Sequence, residues 1–381
     1  MKKILFVIPS LEVGGTVSSL SSIIQFIKER YEISVFPLAY EGNLSVDFKD
    51  LLLPYNILVH AYNCNFANTR GIIRVVSFLL KILKRLTRFL NFDLETNLYR
   101  SLSTKFNDQY DVIVGFQEGC ATKFASLLHA PSKIAWIHCD YTKYYGCGKE
   151  LLVYEKFTKI VCVSKYTTDR FISVYPGMSD KSTFVYNLMN YDNILNNSKI
   201  VIDDARFMND QFTILSVGRI NSVKRFEEIP SIARFLVDQG CKFRWYIIGP
   251  NFGDDVYKSI FTAIVRESVE DYVFYLGNKI NPYPYFSKSD LLVSLSSTEA
   301  CPMIFNEAKV LGLPVVTTDF GSSYEFINDG VDGYIVPIEK LGSKLYELIN
   351  ITDMYNLIQR GIRNVMPSNK VVEDKLLEIF E

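Results

Sequence analysis

Short unbroken apolar runs alternate with longer amphipathic stretches along nearly the whole chain. In the first half the runs are Ile4–Ile8, Ile33–Pro37, Ile57–His60, Asp111–Phe116, Lys133–His138 and Lys159–Ser164. In the second half they are Phe212–Val217, Phe243–Ile248, Val273–Leu276, Leu291–Leu295 and Val315–Thr318. An apolar run without alternation predicts a strand covered on both faces, which means a parallel sheet with helices on either side. Val17–Ile27 and Lys370–Phe380 place their apolar residues at helical spacing. Between Asn187 and Gln211 the composition becomes polar and rich in Asn and Asp, as expected of a linker. The pattern therefore predicts two doubly wound, Rossmann-like α/β domains facing a cleft. They span 1–195 and 205–365, with a C-terminal helix 366–381 available to pack back on the first.

Composition narrows this picture without redirecting it. A chain of 381 residues exceeds one ordinary hydrophobic core, in keeping with two domains. Lys+Arg 41 against Asp+Glu 42 leaves no global basic field, so nucleic acid is not an expected partner. The seven cysteines are scattered, with no Cys-x-x-Cys pair or zinc-ligand spacing, and read as reduced thiols of a cytoplasmic protein. Met1–Pro9 has too short an apolar run for a signal peptide and reads as the first strand. No stretch of about 18 uncharged apolar residues is present, so no membrane span is expected.

The chemistry concentrates where apolar runs end. Glu299 and Glu307 lie eight apart in the stretch Ser296–Pro314, where Pro302 opens a helical pattern and Gly312-Leu-Pro314 closes it. That order (strand, turn, helix, strand) puts two carboxylates and a helix N-terminus at the carboxyl edge of a sheet. A spacing of eight alone recurs by chance, so its context decides. After Phe212–Val217 come Gly218, Arg219 and Lys224, two cations that suit a diphosphate unless the segment is a solvated basic loop. Carboxylates accept hydrogen bonds from vicinal hydroxyls, and the amides around Cys301, Met303 and Ile304 suit a phosphate. Gly14-Gly15, between the first strand and first helix, admits either a ligand or a tight structural turn. His138 ends an apolar run, a position that by itself is more often structural; His60 and His129 read as structural too.

Several of these motifs stand in a familiar order. Ser216-Val-Gly-Arg219 with Lys224, Leu276-Gly277, Asn281-Pro-Tyr283, Ser289-Asp290, Glu299-x7-Glu307 and Gly312-Leu-Pro-Val-Val-Thr317 resemble the donor half of family 4 retaining glycosyltransferases. Asn328-Asp-Gly330 and Gly333-Tyr-Ile-Val336 resemble that family's closing segment. The resemblance implies a GT-B fold with the nucleotide sugar held by the C-terminal domain and the acceptor by the N-terminal one. It assigns the diphosphate to Arg219 and Lys224, the transferred sugar to Glu299, the ribose hydroxyls to Glu307, and an active-site role to His138. Gly14, Gly15, Gly218, Cys301, Met303 and Ile304 complete the implied donor set. The chain departs from the pattern at Ala300-Cys301, where the family has Gly and a bulky apolar residue.

The resemblance implies retention of configuration. No Asp-x-Asp motif is present, so neither a metal nor another cofactor is expected. The expected activity is transfer of a hexose or N-acetylhexosamine from a nucleoside diphosphate sugar to a glycan or lipid-linked acceptor in surface-polysaccharide synthesis. A nucleotide-sugar epimerase and a non-catalytic nucleotide-sugar-binding protein are the alternatives. Residues 69–90 hold six cations, no acid and apolar positions at helical spacing. They read either as a covering helix or as a peripheral contact with an anionic membrane, on the inner face of the plasma membrane.

Overall fold

The computed structural model describes residues 1–12, 14–41, 47–88, 93–146, 148–208, 210–251, 255–364 and 368–381. Val13 of the opening turn, Phe89 and Leu90 of the expected 69–90 helix, and Cys147 lie outside these residues. The chain divides into two compact units, Met1–Leu188 with Lys370–Glu381, and Met189–Asn369.

The first unit holds six parallel strands: β1 (Lys3–Ile8), β2 (Glu32–Pro37), β3 (Val112–Phe116), β4 (Ser132–Ile137), β5 (Lys159–Cys162) and β6 (Ser182–Phe184). Their order is β2-β1-β3-β4-β5-β6. The unbroken apolar runs are buried as their pattern demands: every residue of β3, and β1 from Ile4 onward, is inaccessible. Helices α1 (Gly15–Ile27), α2 (Ile57–Asn63), α3 (Gly71–Arg88) and α4 (Leu94–Ser103) follow β1 and β2.

Ile57–His60 corrects one expectation, since it forms α2 and not a strand. Four residues cannot show whether their period is 2 or 3.6. The deciding feature is Asn56, whose side chain accepts from Leu58 N (3.0 Å) and Val59 N (3.2 Å) and so caps the helix.

The C-terminal helix Lys370–Phe380 packs on this first unit. Phe380 is buried, with its ring 6.4 Å from Trp136 and 6.0 Å from Phe6. Lys159 Nζ donates to the carbonyl oxygens of Glu378 (2.9 Å) and Ile379 (3.4 Å), neutralising the helix's negative end.

The second unit repeats the plan with β7 (Phe212–Val217), β8 (Phe243–Ile248), β9 (Val273–Gly277), β10 (Leu291–Ser294), β11 (Val315–Thr318) and β12 (Gly333–Val336). The order is β12-β11-β10-β7-β8-β9, all parallel. Within the expected linker, Tyr191–Ser198 forms a helix, because Ile194 buries against Met189 and Val310. The apolar-run reading does not contain the short edge strands β6, which is half-buried throughout, and β12, which has just four residues.

Replacing Phe380 by Ala should destabilise the first unit by about 3–5 kcal/mol, the usual cost of emptying a buried aromatic site. Hydrogen exchange of the β1 and β4 amides checks this. Unchanged protection would show that the C-terminal helix is dispensable to the sheet.

Candidate functional site

The order of the second sheet creates a switch point between β7 and β10. From β7 the chain proceeds to β8 on one side, and from β10 to β11 on the other. Pairing Ile214↔Leu291 and Leu215↔Leu292 brings the two strand ends together, and the loops that follow emerge side by side at the carboxyl edge. Open α/β sheets bind ligands at such a crevice. Ser297 N donates to Val223 O (2.8 Å), tying the loops together. Gly249, after β8, passes so close that a Cβ there would lie 1.8 Å from Gly218 O, so no larger residue fits.

Within this frame Lys224 and Glu299 form an ion pair, each less than one-fifth exposed. Gly218 makes room for the lysine: a Cβ at 218 would stand 2.9 Å from Lys224 Cε. Ser296 Oγ donates to the same Glu299 Oε1 (2.8 Å). Glu299 Oε2 has no hydrogen-bond partner among the described residues. The Glu299 backbone is held by Ser322 Oγ, which donates to Glu299 O (2.8 Å). Thr318 Oγ1 similarly holds Ser296 O (2.6 Å).

Arg219 and Arg225 divide their labour. Arg225 adopts a left-handed backbone (φ 50°) and spends its guanidinium on Leu295 O (2.8 Å) and Ser296 O (3.1 Å), so it braces the neighbouring loop. Arg219 is exposed and makes no hydrogen bond or ion pair with the described residues.

The helix Met303–Val310 opens after Pro302 with no side-chain cap. Phe305 N already donates to Pro302 O (3.1 Å), which leaves the N–H groups of Met303 and Ile304 without an acceptor among the described residues. Met303 packs its side chain with Met189, Ile194, Tyr283 and Val310, which leaves its backbone amide as the part of the residue able to meet a ligand. Cys301, half-buried, sits in the turn between Glu299 and the helix. One turn into the helix, Glu307 accepts from Tyr283 Oη (3.3 Å). Crowding of its carboxyl by protein pushes the Glu307 pKa up to about 7, against the lowering effect of that hydrogen bond. On another face Lys309 forms a buried ion pair with Asp332 (2.8 Å). Asp332 also accepts from Asn328 N (2.9 Å) and Nδ2 (2.8 Å), which completes its coordination. Gly312, with φ 68°, ends the helix as expected.

Gly14, Gly15 and His138 belong to the first unit. Gly14 is the extended N-cap of α1 without a side-chain cap, and its carbonyl accepts from Ser18 N (3.1 Å). His138 follows β4; its backbone N–H donates to Glu118 Oε2 (2.7 Å) and its ring centroid lies 4.7 Å from that of Phe116. Burial pushes its pKa down to about 3, so the imidazole is neutral. Its Nε2 is buried without a protein partner. A buried orphan of this kind is costly unless a ligand satisfies it. Glu118, which sequence reasoning misses, is buried and its carboxyl is raised by that burial. His60 is structural: Nδ1 accepts from Tyr40 N (3.0 Å) and the ring meets Tyr55 edge-on.

Comparison with known proteins bears on this region. Residues 198–360 match the family model described as glycosyl transferases group 1. An uncharacterized 41.2 kDa protein in the cps region of Klebsiella pneumoniae is 28% identical over 180 residues, 47% of this chain and 48% of that protein. The chain thus spans about half the length of that relative. The Campylobacter jejuni N-acetylgalactosamine-N,N'-diacetylbacillosaminyl-diphospho-undecaprenol 4-alpha-N-acetylgalactosaminyltransferase is 23% identical over 90% of this chain and 88% of its own. Among solved structures, Anabaena HepE in complex with UDP and glucose is 17% identical, with a TM-score of 0.72 over 100% of this chain and 99% of that one. That likeness shows the fold: two Rossmann-like α/β domains of the GT-B type, shared with glycosyltransferases.

Replacing Asp332 by Ala would leave the Lys309 ammonium buried and unpaired, at an expected cost of about 3–5 kcal/mol. The double change Lys309→Met, Asp332→Ala should recover most of it. A denaturation series on the second unit reads both; an undisturbed single variant would contradict the role of this pair in fixing the 303–310 helix.

Proposed function

We propose that the chain is a retaining, metal-independent glycosyltransferase of surface-polysaccharide synthesis. In this reading it moves a hexose or N-acetylhexosamine from a nucleoside diphosphate sugar to a glycan or lipid-linked acceptor. The observation that carries the proposal is the meeting of an exposed Arg219, the Lys224–Glu299 pair and the uncapped 303–310 helix at one sheet switch point. The same residues fall inside the segment that matches the group 1 glycosyltransferase model. The Campylobacter relative's name specifies an acceptor that carries sugars on diphospho-undecaprenol, and the Anabaena structure holds UDP and glucose; both support the substrate classes.

The proposed chemistry follows from the charges. Breaking the sugar–phosphate bond leaves negative charge on the diphosphate. Arg219, Lys224 and the helix N-terminal amides stabilise that charge in place of a metal. In the ligand-free chain Lys224 is occupied by Glu299. An incoming diphosphate offers Lys224 a stronger partner, and Glu299 is released to accept hydroxyls of the transferred sugar. Glu307, one turn further along the helix, accepts the ribose hydroxyls. His138 acts as an uncharged imidazole whose buried Nε2 still lacks a hydrogen-bond partner.

Arg219→Ala should lower kcat/KM for the donor by roughly 100-fold, the scale of losing one charge-stabilising group, measured as nucleoside diphosphate release. Turnover equal to wild type would remove Arg219 from the phosphate site. Donor affinity should also depend on pH. Glu307 must be ionised to accept two hydroxyls, and its pKa lies near 7. Affinity is therefore full above that value and weakens by up to about tenfold per unit below it. Glu307→Gln should bind weakly with a flattened profile. Calorimetric titration across neutral pH decides; a wild-type profile as flat as the variant's would contradict the assignment.

A further inference from the structure

The apolar arc of α3 is wider than the part that the first unit covers. Ser77, Leu80 and Thr87 are buried, and Ile73 and Val76 partly so, where α3 meets Ala61 and Tyr62 of α2 and Leu94 and Leu98 of α4. On the other side Ile72 is 69% exposed, Val75 57%, Leu79 57% and Leu86 58%, with Phe78, Ile82 and Leu83 also exposed. At about 100° per residue these seven positions fill an arc of roughly 140°, along roughly 20 Å of helix.

The cations lie around the remaining arc. Arg70, Arg74, Lys81, Lys84 and Arg85 are exposed, and residues 69–90 contain no acid. Lys81 lies 4.2 Å from the Phe66 ring centre, Arg74 5.3 Å from the same ring, and Lys84 4.8 Å from that of Tyr62. By the same rotation Arg74 and Arg85 lie roughly 90–110° from the middle of the exposed stripe and border it, whereas Arg70, Lys81 and Lys84 lie further round towards the packed side. No helix among the described residues is long and apolar enough to cross a membrane.

We propose that α3 is an in-plane anchor for an anionic lipid surface. Its exposed stripe enters the boundary between headgroups and acyl chains, and Arg74 and Arg85 beside it reach the lipid phosphates. Charge complementarity selects this occupant. A second copy of the chain would bring the same cations and no acid to the same helix. The inference stands on α3 alone, so its failure would leave the proposed transfer reaction untouched.

The test is flotation of the full chain with vesicles of phosphatidylglycerol and phosphatidylcholine, against phosphatidylcholine alone, at low and high salt. The expected result is selective recovery with the anionic vesicles, reduced by salt. Replacing Val75, Leu79 and Leu86 together by Ser should cut partitioning by roughly 100-fold or more. Arg74→Gln with Arg85→Gln should cut it by roughly 25-fold. All five positions are exposed, so the melting temperature should not move and serves as the folding control. Failure of the wild type to float with anionic vesicles, or undiminished floating of the triple variant, would overturn the proposal. So would a concentration-dependent dimer that the triple variant abolishes, with no lipid binding.

Discussion

The pairing of Lys224 with Glu299 is the interaction on which the candidate site depends. It joins the loop after β7 to the loop after β10 at the point where the sheet order reverses. Opposite charges at a half-buried position need each other, since either alone would be left poorly solvated. Around them Ser296, Ser322, Thr318 and Arg225 satisfy the loop's carbonyls and the carboxylate. The arrangement holds both charges ready before any ligand arrives. A diphosphate sugar presents an anion for the lysine beside hydroxyls for the carboxylate, so it can separate the pair without stranding either charge.

The 303–310 helix serves the same site in a different way. Positions two apart on a helix point to different faces, and here they carry different duties. Glu307 sits against Tyr283 and is raised toward neutrality by crowding, whereas Lys309 is buried against Asp332. The ion pair fixes the helix so that its uncapped first turn and Glu307 keep their positions. Gly218 and Gly249 act by what they lack, leaving space for Lys224 and for the close passage of two strand ends.

Much of the fold was legible because both sheets are covered on both faces. Ten of the eleven apolar runs lie on strands, and all but the edge strand β9 are largely buried, as an unbroken run suggests. Ile57–His60 misleads because so short a run has no readable period, and Asn56 decides it from outside the run. In the site, Lys224 and Glu299 were legible from their position after strands. Their pairing was not, and neither were the roles of Arg225, Ser296, Ser322, Tyr283 or Glu118. Most of those roles rest on partners 20 or more residues away, and spacing along the chain carries no record of such contacts. For α3 the amphipathic pattern supported two readings because the apolar arc of the helix is wider than one packing contact needs. The structure shows that one part packs inward and the rest remains exposed.

Hydrogen exchange of the whole protein with and without nucleoside diphosphates, in the presence of a chelator, addresses the central claim most directly. The account predicts that UDP, GDP or ADP will slow exchange in 218–225 and 297–307 without any divalent cation. Saturating nucleotide that leaves both segments unchanged, or that protects them only when a metal is supplied, would contradict it.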